Sequence, residues 1–454
     1  MEDYAPPWLF FHSFPSRADI ERMHISLNKL QLMLKAALVI AVVFTASHSL
    51  AEEPLPLPMP EAEVDVDSDD SSKFTLPHLE ELAHGHPAIA EAAGLVRAAR
   101  GKAIQAGLYP NPVLSYQGTE IGNEGSGGQQ GGFLEQEYVT SGKLDLAQQA
   151  ACWEVRRTEQ ELARVQMRVM TEVRMRYYET VIAQRAVKVV SDLRSNAEQG
   201  FKLTEDRKAA MEVSDVDVLQ SRFELEAARL LAIQTETELA GARRRLEAAL
   251  GGVPLAEIEV AEAEDIDDIN LTWEQAWSRV QSASPELSAA QINIERARWE
   301  LRRQVAGRIP NLTFQAGVQD DHATGDTIAG AIIAMPLPIY NCNQGNIEES
   351  RGELATAQRA VSRLEAELQG KLAVVFREYQ TALQQADRYH QNMLPDADKA
   401  LQLVRMAYGS GEVDYLRLLS AQQNYGRAHL AYLKTLEIVW TRRAQIEGLL
   451  TATD

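Results

Sequence analysis

The feature that most constrains this chain is that its sequence is written twice. At a spacing near 200 residues, Tyr109-Pro110-Asn111 recurs as Ile309-Pro310-Asn311, Glu212-Val213 as Glu412-Val413, Leu219 as Leu419, and Leu246-Glu247 as Ile446-Glu447. His86-Pro87 returns as Ser284-Pro285, and Gly142 is matched with Gly345, an offset of 203 that changes in loop length account for. A repeated supersecondary unit usually cannot bury its apolar face alone, so the two copies are expected to share a core.

Each unit reads in the same order. A helix, about 87–106 and again 285–306, runs to the Pro-Asn break, because proline cannot continue a helix and pushes its predecessor toward extended backbone. Two short strands follow, 112–121 and 131–139 in the first unit, 311–319 and 327–338 in the second. The clearest is 311–319, where Leu312, Phe314, Ala316 and Val318 alternate with Thr313, Gln315, Gly317 and Gln319. Period-two alternation gives a strand one apolar and one polar face. The loops NEGSGGQQGG (123–132) and QDDHATGD (319–326) are turn-rich.

Long helices come next. From about Leu144 to Lys208 there is no proline and one glycine, Gly200; Asn346 to Met393 contains only Gly352 and Gly370. Sixty helical residues reach about 90 Å, more than an ordinary globular domain needs. Val361, Leu364, Leu368, Leu372, Val375, Tyr379, Leu383 and Ala386 follow an eleven-residue period, which does not impose the left-handed supercoil of a heptad. Such helices can lie nearly straight around a wide cylinder, although a straight coiled-coil hairpin has the same period. Each reverses at a tip, DRKAAMEVSD (206–215) and AYGSGEVDYL (407–416), with Ser214 and Asp414 placed to cap the returning helix. The fold class is therefore mainly α with a small β part.

Composition narrows the partners. The chain has 454 residues, 45% of them hydrophobic, and a formal net charge of −20, which argues against nucleic acid and anionic lipid because both demand a basic surface. Lys29 and Lys35 precede the apolar run 36–44, and Ser49-Leu50-Ala51 offers small residues at a cut. Residues 1–51 are read as a secretory signal peptide, with Met23 the more natural start. Residues 52–74 read as a disordered acidic leader, since EAEVDVDSDD (61–70) lacks the apolar content to fold. The first repeat is assigned to 75–251, a linker to 252–271 and the second repeat to 272–450. Cys152 and Cys342 stand alone, so no disulfide framework is expected.

Enzymatic chemistry finds no foothold: nucleophile elbow, phosphate loop, dinucleotide fingerprint and zinc-finger spacing are all missing from the sequence. No cofactor or metal is expected. His78, His84 and His86 lie close in sequence, but two histidines at i, i+2 cannot share a helical face. Asp320, Asp321, His322 and Asp326 offer oxygen and imidazole ligands to a divalent cation, yet their composition is that of a solvated loop.

Four strands cannot close a membrane barrel, because lipid leaves no partner for an open edge and single-chain barrels begin at eight. Further copies of the chain must supply the rest. The ordered set of helix, Pro-Asn, strand pair, glycine, long helix, tip and returning helix, done twice over roughly 75–450, resembles the TolC family of outer-membrane efflux channels. Its most specific piece is PLPIYNCNQGNI (336–347), which is similar to the strand-to-helix segment of subunits from heavy-metal, cobalt-zinc-cadmium type efflux systems, with Cys342 where a basic residue is common.

The resemblance implies a homotrimer with a twelve-stranded outer-membrane barrel and a periplasmic helical barrel. It implies a passive exit duct for divalent heavy-metal ions within a tripartite resistance-nodulation-division system, joined through a periplasmic adaptor to an inner-membrane pump. Gly142, Pro336, Pro338 and Gly345 would mark the handover from strand to helix. Glu212, Val213, Gly409, Gly411, Val413 and Leu416 would form the periplasmic tip where the adaptor docks, and Asp215, Glu412 and Asp414 would be aperture carboxylates favouring cations. Arg417 and Ser420 stand where some relatives place aperture aspartates. A duct for drugs or for type I protein secretion shares the whole scaffold. A periplasmic coiled-coil adaptor or scaffold without a pore is the rival of another class, and the alternation at 311–319 argues against it.

Overall fold

The structure, a computed structural model, describes residues 73–122, 127–255, 259–260 and 271–448. The signal-peptide reading, the leader up to residue 72 and the loop residues 123–126 lie outside the described residues.

Each half begins with a short helix, α1 (Leu76–Ala83) and α5 (Trp273–Ala283), followed by α2 (Pro87–Gly107) and α6 (Pro285–Ala306). Both longer helices start on proline at their first turn, where its missing N–H costs nothing. His86 caps α2, its ring Nδ1 accepting from the Ala88 N–H at 3.1 Å. Ser284, its counterpart, caps α6 by accepting from the Leu287 N–H at 3.4 Å.

Four strands make one antiparallel sheet in the order β2 (Val113–Thr119), β3 (Gln129–Tyr138), β5 (Leu312–Asp321) and β6 (Thr327–Ala334). The two halves meet in its middle, where β3 pairs with β5 from Gln129↔Asp321 to Tyr138↔Leu312. β2 and β6 are the edges. β6 stops at Ala334, short of the expected 338, because Pro336 and Pro338 have no N–H to give a ladder.

The final residues of the expected leader and part of the expected linker are not structureless. β1 (Lys73–Phe74) pairs in parallel with β4 (Glu259–Val260).

Helix α3 (Lys143–Ala209) runs unbroken for 67 residues, about 100 Å. In the second half α7 (Gln344–Arg388) passes through a single π turn, Tyr389–Met393, into α8 (Leu394–Gly409). The helical path thus continues past Met393 to the tip at 407–416, where the sequence places its reversal. Pro395 lies in the first turn of α8 and withholds its N–H, and the wider π turn absorbs the change in the hydrogen-bond ladder. The returning helices are α4 (Asp215–Ala249) and α9 (Tyr415–Glu447).

The main core sits midway along these helices. Val173, Tyr177 and Val181 of α3 meet Leu368, Leu372 and Tyr379 of α7 and Leu436, Val439 and Trp440 of α9. Leu79 of α1, Val280 of α5 and Leu246 of α4 close around them. The eleven-residue stripe is what α7 buries: Leu364, Leu368, Leu372, Tyr379 and Ala386 are buried, with Val361, Val375 and Leu383 packed at its margin. Burial at this waist pushes the Tyr177 phenol up to about 12. No described helix is long and apolar enough to cross a membrane.

Candidate functional site

Three places along the molecule carry the functional expectations: the sheet, the handovers from strand to helix, and the tips.

Cross-strand partners share a face, so the register sorts the sheet. One face carries Leu114 and Tyr116 of β2, Leu134 of β3, Phe314, Ala316 and Val318 of β5, and Ala329, Ala331 and Ile333 of β6, with Gln136 opposite Phe314 and Gln130 opposite Asp320 as its polar members toward the two ends. The other carries Ser115 and Gln117, Glu135, then Thr313, Gln315 and Gln319, with Phe133 as its buried apolar exception. Most of the apolar face is open in the single chain: Leu114 is 78% exposed, Tyr116 71% and Ile333 69%. β6 departs from the pattern by adding Ile328 and Ile332 to the polar face, which Val113 also joins at the start of β2.

At the first handover the backbone must turn sharply from β3 into α3. Ser141 and Gly142 both have positive φ, 61° and 62°, and glycine tolerates this without a Cβ clash. The turn is held by the second repeat's Pro-Asn motif. The Thr140 N–H donates to Asn311 Oδ1 at 3.3 Å, its hydroxyl to the Pro310 carbonyl at 2.8 Å, and Lys143 Nζ to Asn311 Oδ1 at 2.6 Å. Lys143 Nζ also reaches the Ile309 carbonyl. Asn311 in turn donates to Glu137 at 2.7 Å.

At the second handover the equivalent left-handed residue is Asn343, φ 60°, and not Gly345, which lies inside the first turn of α7. Asparagine is among the few non-glycine residues that enter this region readily. Its Nδ2 donates to the Gln304 carbonyl at 2.7 Å, tying the turn to the end of α6. Pro336 and Pro338 lie in the exposed irregular stretch between β6 and α7.

The tips end in the same hydrogen-bond motif. The Glu212 N–H bonds the Arg207 carbonyl and Met211 the Lys208 carbonyl, both at 2.9 Å; Glu412 bonds Ala407 at 2.9 Å and Gly411 bonds Tyr408 at 3.2 Å. This pattern needs a left-handed residue at its turn. The second tip supplies Gly411, φ 79°, whereas the first uses Met211, φ 59°, with its side chain 93% exposed. Ser214 forms a capping box with Asp217, and Asp414 accepts from the Arg417 N–H at 3.1 Å.

Of the expected tip residues, Val213 is half-buried, Val413 packs on a small core of Leu401, Tyr408, Tyr415 and Leu418, and Leu416 is exposed. Gly409 ends α8 in open space. Asp215 pairs with Lys208 at 3.0 Å and Glu212 with Arg207 at 3.1 Å. The charge there is therefore mixed rather than purely acidic.

Sequence reasoning missed the residues that join the two tips. Arg207 donates to the Tyr408 carbonyl at 3.0 Å and lies over the Tyr408 ring, 4.9 Å from its centroid. Thr204 and Tyr408 share a buried hydroxyl contact of 2.9 Å. Tyr415 stacks edge-on against Tyr408, and burial drives its phenol well above the ordinary value. Two tyrosines flanking the glycine turn seven residues apart were the available signal, but only the fold sets Arg207 beside them.

Among the described residues no group of three His, Cys, Asp or Glu is placed to hold a metal ion. Asp320 accepts from Thr327 at 2.7 Å, and Asp321 accepts from the Ala323 N–H at 2.8 Å, so the loop carboxylates serve its turn.

A comparison with known families decides the identity of this architecture. The family profile described as "Outer membrane efflux protein" matches residues 78–252 and 276–451, one match per repeat. The chain belongs to the outer membrane efflux protein family. It is an outer-membrane efflux channel protein with a periplasmic extension, a transport duct and not an enzyme.

Among curated relatives it is 24% identical over 354 residues to the "Cobalt-zinc-cadmium resistance protein CzcC" of Cupriavidus metallidurans, covering 77% of this chain and 83% of that one. It is 20% identical to the "Probable outer membrane lipoprotein SilC" of Salmonella typhimurium, over 76% of each chain. Among solved structures the fold matches CusC with TM-score 0.69 at 17% identity, covering 83% of this chain and 92% of that one. It also matches the outer-membrane channel OprN with TM-score 0.71 at 16% identity, covering 84% and 93%.

Proposed function

We propose that three copies of this chain close a twelve-stranded barrel across the outer membrane and that their long helices continue it as a periplasmic tunnel. The observation that carries this reading is the four-stranded sheet with an apolar face and two unpaired edges at one end of helices about 100 Å long. An open edge cannot stand in lipid, and three four-stranded sheets exceed the eight strands at which barrels begin.

The duct is passive. The sequence carries no phosphate-loop or catalytic motif, and in this reading an inner-membrane pump of the resistance-nodulation-division type, linked by a periplasmic adaptor at the tips, supplies the work. The cargo class is divalent heavy-metal ions, supported by the cobalt-zinc-cadmium resistance relative and by the PLPIYNCNQGNI segment.

The test is twofold. The purified protein should form a conducting trimer in planar bilayers, and deletion of the gene should lower resistance to cobalt, zinc or cadmium. A conducting trimer whose loss changes only drug tolerance would keep the channel and overturn the cargo. A protein that neither oligomerises nor conducts would overturn the channel.

A further inference from the structure

We propose that the π turn of the second hairpin is a proton-responsive joint, strapped to α9 through His390 and His429, where the first hairpin has a continuous helix and a permanently charged strap. The inference stands on contacts within a single chain and goes beyond the channel reading above.

The helical hairpins, α3 with α4 and α7–α8 with α9, contain two histidines, and both lie at this turn. The repeat spacing of 200 shows what they replace. His390 and Tyr432 stand where the first hairpin has Val190 and Ala232, which are buried apolar residues of an uninterrupted helix and its return. Pro395 stands in place of Ser195, while His429 and Asp398 stand in place of Arg229 and Glu198. One hairpin alone has therefore gained a break in its helical ladder and a titratable side chain on each side of it.

Beyond the break, His429 Nε2 lies 2.8 Å from Asp398 Oδ1 and joins α9 to the start of α8; the histidine side chain is 19% exposed. The corresponding pair of the first hairpin is looser, with Arg229 and Glu198 3.9 Å apart and both side chains 48% exposed. Within the break, His390 stacks on Tyr432, their centroids 6.2 Å and their planes 25° apart, and Tyr389 lies 6.4 Å from the same tyrosine ring. Helix α9 thus holds the π turn at two successive turns, and through a histidine each time.

Arginine stays charged at every physiological pH, whereas histidine side chains in general gain a charge only on protonation, between about pH 8 and pH 5. His429 is faced by Asp398 from α8 and by the Tyr425 ring of its own helix at 4.3 Å. From α3 comes Asp192, whose charge reaches Tyr425: that phenol is held above its ordinary value by burial first and then by Asp398 and Asp192. His390 meets the Tyr432 ring of α9 and the Tyr389 ring of its own turn. Carboxylates and aromatic faces both hold a cation more strongly than a neutral ring. A contact that is stronger in its protonated form is complete in acid and weakens as pH rises. The second hairpin is therefore tightened in acid and loosened toward neutrality and above, while the first keeps its strap throughout.

Hydrogen exchange of the full chain in detergent, read by mass spectrometry at about pH 5.5 and about pH 8 and corrected for intrinsic exchange, tests the joint. Segments 389–400 and 425–432 should lose protection roughly two- to fivefold on going to the higher pH, the scale of a partly exposed ion pair. Segments 189–200 and 225–232 should keep theirs. Asp398→Asn removes the carboxylate and His429→Arg gives the second hairpin the chemistry of the first, so each should shrink the change; His429→Arg with His390→Gln should abolish it. Equal pH dependence of the two hairpins in the unmodified chain would overturn the joint, and so would a change that survives in the double variant. Should the double variant not fold, an undiminished change in both single variants overturns it instead. Native mass in the same detergent separates the two levels: a monomer that shows the expected exchange sinks the trimeric reading and leaves the joint, and a trimer without it sinks the joint alone.

Discussion

An arginine placed along β5 should report both the face and the depth of each position. The strand Leu312–Asp321 has ten residues, about 33 Å of chain at 3.3 Å per residue, and with the usual barrel tilt it spans roughly the 25 Å apolar band of such barrels. Its centre falls at Ala316 and Gly317, so Phe314 lies two residues toward the helical end. Arginine at the midplane costs about 2–4 kcal/mol and near an interface about 0–1 kcal/mol. Ala316→Arg should therefore be the severe change and Phe314→Arg the milder one. In the proposed trimer three chains share one barrel, so the burden of Ala316→Arg is roughly 6–12 kcal/mol, comparable to the whole stability of an ordinary domain.

Gln315→Arg is the matched control. It sits at nearly the same depth on the polar face, opposite Glu135, where an added positive charge gains an opposite-charge neighbour. The assay is heat-modifiable migration of the outer-membrane fraction, read against total protein. Ala316→Arg should lose the folded band, Phe314→Arg should retain part of it, and Gln315→Arg should resemble the unmodified chain. Equal loss for Ala316→Arg and Gln315→Arg would refute the face assignment, and equal loss for Ala316→Arg and Phe314→Arg would refute the depth.

At the tips, Asp215→Asn with Asp414→Asn should reduce cation preference in single-channel recordings while leaving helix α9 capped, because asparagine caps as well as aspartate; unchanged selectivity would remove both from the constriction. Gly411→Trp should abolish metal resistance while trimer assembly and insertion persist, since the left-handed turn strains any side chain by about 1–2 kcal/mol and the tip is remote from the sheet. Loss of assembly would make the tip structural. A pH effect should come from Glu154 of α3, whose carboxyl is held below its ordinary value chiefly by the Arg157 hydrogen bond, with Arg296 of α6 nearby. Its contribution is fully present above the ordinary carboxylate range and is lost as pH falls through the depressed value. Thermal melts should show Glu154→Gln less sensitive to acid than the unmodified chain, and parallel pH profiles would contradict this.

Much of this protein was determined by its sequence because the decisive signals are local or periodic. Helix α3 is long because nothing between Lys143 and Ala209 interrupts it, and the apolar stripe of α7 is a matter of spacing alone. Ser214 and Asp414 cap their helices through hydrogen bonds to residues three positions away. The duplication was visible for the same reason, since repeated residues need no neighbours to be recognised.

What only the tertiary structure decided depends on residues far apart in the chain. Gly345 looked like the partner of Gly142, yet the backbone reversal falls on Asn343, because its amide can anchor to Gln304 of α6. The π turn Tyr389–Met393 just ahead of Pro395 has no local signature of its own and shows only in the folded helix. Arg207 belongs to no motif, and only folding brings it against Tyr408, about 200 positions on. The sheet shows the limit most plainly. Alternation in β5 announced two faces, but which strand lies beside which, and that β2 and β6 are left as edges, follow from long-range pairing that no local stretch encodes.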